Sequence, residues 1–146
     1  MIKMTKIYLY LLVPIMFFIE GCSENEPPVK DRWYTPLQIS NGASVFKKHC
    51  ASCHGDEAQG LISDWRQPLS DGSYPPPPLN GNAHAWHHPL SVLKRTIQNG
   101  GIPLGGKMPP FNDKLNDEEI KSSIVFFQNK WNDKIYNAWI ERGGLK

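Results

Sequence analysis

The pentapeptide Cys50-Ala51-Ser52-Cys53-His54 constrains this chain more than any other feature. Two thiols three residues apart lie about one helical turn apart on the same face. Thiols at that spacing reach the two vinyl groups along one porphyrin edge. The imidazole of the next residue then falls under the iron, so the run reads as a covalent attachment site for c-type haem. Two other readings use the same residues, because Cys-x-x-Cys also serves as a dithiol redox pair or as half of a zinc site. The redox motif wants a strand–helix–strand context, which the sequence does not offer. A zinc site needs two more ligands, and His84, His87 or His88 would supply them at a separation that matches no usual finger.

Haem attachment of this kind takes place outside the cytoplasm, and the N-terminus agrees. Lys3 and Lys6 flank the start of an apolar run at residues 7–19, interrupted only by Pro14. The run falls short of the roughly 20 residues that a bilayer span needs and has the size of a signal-peptide core. Ile19-Glu20-Gly21-Cys22 then resembles a bacterial lipoprotein cleavage site, where the cysteine is lipidated and begins the mature chain. Gly21 suits the position before the cut, whereas Glu20 departs from the small or apolar residue usual there. The other readings are ordinary signal cleavage that leaves Cys22 a plain thiol, or an uncleaved anchor. Cysteine arithmetic fits a lipid: of three cysteines, two go to haem and one to the anchor, with none left for a disulfide. The chain is therefore expected on the periplasmic or cell-surface side, held to a membrane by its N-terminus.

Residues 1–21 thus read as a lipoprotein-type signal peptide and residues 22–37 as a linker, with Pro27-Pro28, charges of both signs and no apolar period. Residues 38–146 suffice for one domain with a modest core. The net charge of +2 drops to +1 when Lys3, Lys6 and Glu20 leave, and no basic patch argues for nucleic acid. A first helix is expected at residues 40–51, capped by Ser40 or Asn41, with Val45 and Phe46 on its apolar side. Residues 55–82 read as irregular, broken by Gly60, Gly72, Gly81 and Pro75-Pro76-Pro77-Pro78. So long a loop makes sense where a chain wraps a large flat cofactor. Pro89 suits the start of a second helix whose stripe is Leu90, Leu93 and Ile97, ended by Asn99-Gly100-Gly101. A third helix follows Asn116, which has capping-box spacing to Glu119. Its core face is Ile120, Ile124, Phe127 and Trp131. The extension from about residue 132 reads as a short extra helix. No strand pattern or internal repeat stands out.

A haem iron with one histidine needs a sixth partner or an open position. Met108 is the candidate, within Gly105-Gly106-Lys107-Met108-Pro109-Pro110-Phe111. Glycines let the backbone approach a porphyrin face, and prolines stiffen the loop. Filling a core gap is the commoner fate of methionine. A Gly-rich, Pro-stiffened loop ahead of a helix is not a usual core position.

Together these residues resemble a class I c-type cytochrome, monohaem and bacterial, over roughly residues 38–131. The resemblance rests on Cys50, Cys53 and His54, on Met108, and on Leu115-Asn116-Asp117-Glu118-Glu119-Ile120. It implies a small all-α cytochrome c fold, with three main helices wrapped around one covalent haem c and long irregular loops. It also implies thioethers at Cys50 and Cys53, axial iron ligation by His54 and Met108, and packing of Gly42 and Phe46 against Phe126. A Pro-x-Leu-x-Gly piece near residue 77 is usual for bacterial members, but three histidines around Trp86 are not. His84, His87 and His88 either cap a helix and bond propionates or backbone, replace Met108 on the iron, or hold a second metal such as copper.

The function so implied is single-electron transfer between redox proteins, not catalysis. An iron closed by His and Met has no vacant position, so no small-molecule substrate is expected. The alternatives are a haem enzyme or gas sensor with a labile sixth ligand, and a cytochrome subunit of a larger oxidoreductase that docks through Trp139-Ile140. Lys47, Lys48, Lys94, Arg95 and Lys107 either steer an acidic partner or are solvated charges.

Overall fold

The computed structural model describes residues 26–146. The expected signal segment and Cys22 lie outside them. Among the described residues all regular structure is helical, in five α-helices and two short 3-10 turns.

Helix α1 (Pro36–His49) starts four residues before the expected position. The signal lies in Thr35-Pro36-Leu37-Gln38. The Thr35 hydroxyl accepts from the Gln38 N–H, the Gln38 side chain accepts from the Thr35 N–H, and Pro36 occupies the first turn. Lys47, Lys48 and His49 close its last turn, where cations suit the negative end of the helix dipole. The single turn α2 (Ala51–His54) follows at once and carries the cysteine motif. Helix α3 (Leu90–Asn99) buries Leu93 and Ile97, with Pro89 as its cap. Helix α4 (Asp117–Gln128) has the expected capping box, with Asn116 and Glu119 bonding reciprocally at 3.0 and 2.9 Å. Ile120, Ile124 and Phe127 are buried on it, as the periodicity predicts; Trp131 is buried too but lies beyond the end of the helix at Gln128.

The crossing of α1 and α4 is the most extensive helix contact. Gly42 lies against the Ser122 backbone so closely that any Cβ there would overlap the Ser122 carbonyl oxygen. One turn later the Phe46 and Phe126 rings pack at 4.7 Å between centroids. Phe46 is fully buried, a contribution of about 1.5–3 kcal/mol relative to exposure.

Both ends of the domain differ from expectation. The linker at residues 22–37 does not run up to α1, because Tyr34 is 0% exposed and joins the core beside Tyr136. The Trp33 N–H donates to the Tyr136 hydroxyl (3.0 Å) and the Trp33 ring N–H to Gln128 (2.8 Å). Two adjacent aromatics after a Pro-rich stretch have no period, so a pattern search passes over them. The extension forms helix α5 (Asp133–Glu141), capped by Asn132. Trp139 is 1% exposed, packs on Trp131 and Tyr136, and donates to the His88 carbonyl at 2.8 Å. It belongs to the core and is not a docking contact; only Ile140 of that pair faces solvent.

Gly42→Ala will lower unfolding free energy by about 1–3 kcal/mol, the usual cost of forcing extra volume into a packed contact. Urea titration of the haem-loaded domain checks this. The Tyr34 hydroxyl is buried without a hydrogen-bond partner among the described residues. Burial pushes its pKa up to about 12, against the opposing charge of Arg32. The folded value lies above the unfolded one, so the contribution is present below pH 10 and lost as pH climbs towards 12. Tyr34→Phe will flatten that alkaline loss and cost little at neutral pH, since no hydrogen bond is removed. Unfolding curves across that pH window, followed by far-UV circular dichroism, provide the measurement.

Candidate haem-binding site

The capped helix α1 runs directly into the motif, so α1 sets where the two thiols stand. Cys50 is half-buried, Cys53 is exposed, and both are free thiols. Burial pushes the Cys50 thiol up to about 11, with Cys53 adding to the rise. Among the described residues no three His, Cys, Asp or Glu side chains are placed to hold a metal ion.

His54 is 8% exposed, and its Nδ1 lies 3.0 Å from the Pro77 carbonyl oxygen. A carbonyl only accepts, so Nδ1 carries the proton and Nε2 of the neutral ring keeps a lone pair. Burial lowers the imidazole pKa, and the Pro77 bond works against that shift. The resulting neutral, oriented imidazole is the form that binds metals, and such a second bond is what usually fixes a ligating ring.

The chain after His54 explains why Pro77 is there. Gly55 turns back at φ +79°, and the Gly60 N–H donates to the His54 carbonyl at 2.7 Å. Ala58 is fully buried, and its carbonyl accepts from the N–H groups of Leu79 (2.7 Å) and Asn80 (3.1 Å). The Trp131 ring N–H donates to the Leu79 carbonyl at 2.8 Å. The proline run is thus suspended between the turn after α2 and the end of α4.

Met108 is half-buried and packs against the same core as Cys50 and Ala51. The Gly101 N–H donates to its carbonyl at 2.9 Å. Gly100 stands at φ +80°, and a Cβ on it would come within 2.7 Å of the Met108 carbonyl oxygen. The Gly100-Gly101 pair that ends α3 therefore also seats this loop. On the other side, the Tyr74 N–H donates to the Gly105 carbonyl and Lys107 pairs with Asp71. The Lys107 and Ser73 bonds hold the Asp71 carboxyl well below the usual carboxylate range.

The three histidines occupy other surroundings. His84 stacks on Trp65 at 5.0 Å, His88 meets His84 edge-on at 5.5 Å, and His87 packs on Trp86 at 3.9 Å. Of the basic residues considered for steering, Lys94 is paired with Asp117 and Lys107 with Asp71, so neither presents an uncompensated charge. The sequence reading missed Pro77, Ala58 and Trp131 as supports of the site. A Pro-x-Leu segment flanking the histidine motif was the visible sign; that it folds back over His54 was not.

A family model described as "Cytochrome C oxidase, cbb3-type, subunit III" matches residues 37–126, well over half of the chain. The chain belongs to that family. It is a c-type cytochrome domain, and its cofactor is covalently bound haem c with its iron. It is 33% identical over 94 residues to the Cbb3-type cytochrome c oxidase subunit CcoP of Azospirillum sp. (strain B510), covering 63% of this chain and 28% of that protein. It is also 33% identical over 94 residues to the FixP subunit of the same oxidase type in Sinorhizobium medicae (strain WSM419), covering 60% and 28%. A nicotinate dehydrogenase subunit of Pseudomonas putida is 29% identical over 117 residues, covering 77% of this chain and 9% of that protein. The matched region spans little more than a quarter of the length of the CcoP and FixP relatives. No solved structure matches the chain. The side chains present suit the cofactor, with paired free thiols, a buried imidazole whose Nδ1 is already engaged, and a thioether on a loop seated by glycines. No described helix is long and apolar enough to cross a membrane.

Proposed function

We propose that this cytochrome domain carries single electrons outside the cytoplasm as part of, or bound to, a larger oxidoreductase. Cys50 and Cys53 would form the two thioethers to haem, and His54 through Nε2 and Met108 through its thioether sulfur would ligate the iron. The observation that carries this reading is the buried His54 ring, committed through Nδ1 to Pro77 directly after two free thiols. The subunit reading is favoured over a free-standing carrier because the CcoP and FixP relatives are named as oxidase subunits and the dehydrogenase relative as a subunit too.

When bound, haem c supplies one iron-centred electron without a change of ligands. The chain's own residues keep it so. The Pro77 carbonyl fixes the His54 ring and raises its basicity as a ligand. Gly100 and Gly101 restrain the Met108 backbone, and Pro109 and Pro110 limit its alternatives. Little rearrangement then accompanies electron gain or loss. With both His54 and Met108 on the iron, no position would be left for a small-molecule substrate, and the domain's role would be transfer rather than catalysis.

Visible spectra of the haem-loaded domain test the ligand set. The oxidised parent will show a weak far-red methionine-to-iron band and, when reduced, no shift with carbon monoxide; Met108→Ala will lose the band and bind carbon monoxide. Ready carbon monoxide binding by the parent would sink the carrier reading in favour of an enzyme or gas sensor. An absent band without carbon monoxide binding would place His84, His87 or His88 on the iron.

Cys22 is the proposed lipid anchor, which puts the domain on the periplasmic or cell-surface side. Gentle detergent extraction of membranes from cells expressing the full chain will recover it with an oxidoreductase partner. Cys22→Ser will move it to the soluble fraction, and an unchanged membrane fraction would refute the anchor.

A further inference from the structure

A surface cleft whose lining includes none of Cys50, Cys53, His54 and Met108 has an uneven charge balance. Trp65, Arg66, Asn82, His84, Trp86 and His87 line it. The Arg66 guanidinium lies 4.9 Å over the Trp65 ring, which itself stacks on His84. The Arg142 guanidinium lies 4.9 Å over Trp86, with its Nη1 donating to His87 Nδ1 at 3.3 Å. Neither arginine forms an ion pair with a described residue, and no Asp or Glu lines the cleft. Asp64 and Glu141 are close in sequence, but Asp64 accepts from the Arg66 backbone N–H and neither acid pairs with an arginine side chain.

We propose that this cleft docks an acidic segment of a partner protein, with Arg66 and Arg142 binding its carboxylates and Trp65 and Trp86 holding the two guanidiniums in place. A guanidinium is planar, always charged, weakly hydrated and suited to bidentate carboxylate bonds. Stacking on indole removes rotamer freedom before the partner arrives, so less is lost on binding. His84, His87 and His88 add further donors. The His84 pKa is lowered by burial and by the neighbouring His88 and His87, a repulsion that carboxylates would relieve. The cleft is open and its arginines are solvent-exposed, which favours an extended segment over an enclosed small molecule. This inference rests on the subunit reading for the existence of a partner, but not on the axial ligands.

The test uses the haem-loaded mature chain and a fluorescent poly-glutamate peptide, with poly-glutamine as the blank, read by anisotropy at low salt. R66Q/R142Q will bind the poly-glutamate about tenfold more weakly than the parent, while K47Q/K48Q, which changes the same formal charge beside the motif, will differ little. Equal losses in both variants, binding unaffected by R66Q/R142Q, no binding by the parent, or displacement by free glutamate at equal carboxylate concentration each overturn the docking site. R66Q alone carries the test if loss of the Arg142–Trp86 contact lowers the melting temperature. Peptide binding lost with copurification intact refutes this site alone. Copurification absent with arginine-dependent peptide binding intact refutes the subunit reading instead.

Discussion

The hydrogen bond from His54 Nδ1 to the Pro77 carbonyl is the constraint on which the rest of the site depends. It joins two segments 23 residues apart that have no regular structure between them. It also decides which ring nitrogen is left to face a metal. Most of the surrounding architecture keeps those two segments in register. Ala58 accepts from Leu79 and Asn80, and Trp131 ties Leu79 to the end of α4. The proline run itself contributes stiffness and carbonyls that its own backbone has no N–H groups to satisfy.

The crossing of α1 and α4 supplies the rigid support for that arrangement. A missing side chain at Gly42 lets the backbones touch, and the Phe46–Phe126 pair fills the next layer. Because α1 is capped at one end and joined to α2 at the other, the crossing transmits its position to Cys50, Cys53 and His54. The second aromatic layer, built from Tyr34, Trp131, Tyr136 and Trp139, extends the core beyond the matched family segment at residues 37–126. It binds α5 to the turn that carries the histidines, through the bond from Trp139 to the His88 carbonyl. The charge distribution follows from the same packing. Lys94 and Lys107 are paired with Asp117 and Asp71, while Arg66 and Arg142 rest on indole rings and stay unpaired among the described residues.

Most of the helical framework was legible in the sequence. Asn116 and Glu119 announced α4, the spacing of Ile120, Ile124 and Phe127 announced its buried face, and Leu93 and Ile97 did the same for α3. These are local signals, in which a cap or a 3.6-residue period acts within a few turns. The start of α1 was misplaced because two adequate caps, Ser40 and Asn41, lie just downstream of the real one at Thr35. The extent of the linker was misjudged because Trp33 and Tyr34 are not periodic. The role of Trp139 was misjudged because its partners at Trp131 and His88 come together only in three dimensions.

The haem chemistry is written in the local sequence. Two cysteines and a histidine at fixed spacing bring their reactive atoms together within one turn, whatever the rest of the chain does. The tautomer of His54, the seat of the Met108 loop and the separate surroundings of the histidine cluster are instead products of long-range packing. Each depends on contacts between residues distant along the chain or at opposite ends of a loop: Pro77 on His54, Gly100 beneath Met108, and Arg142 over Trp86. Such contacts are set by how the irregular segments close onto the helical core, and no local period or propensity encodes that closure.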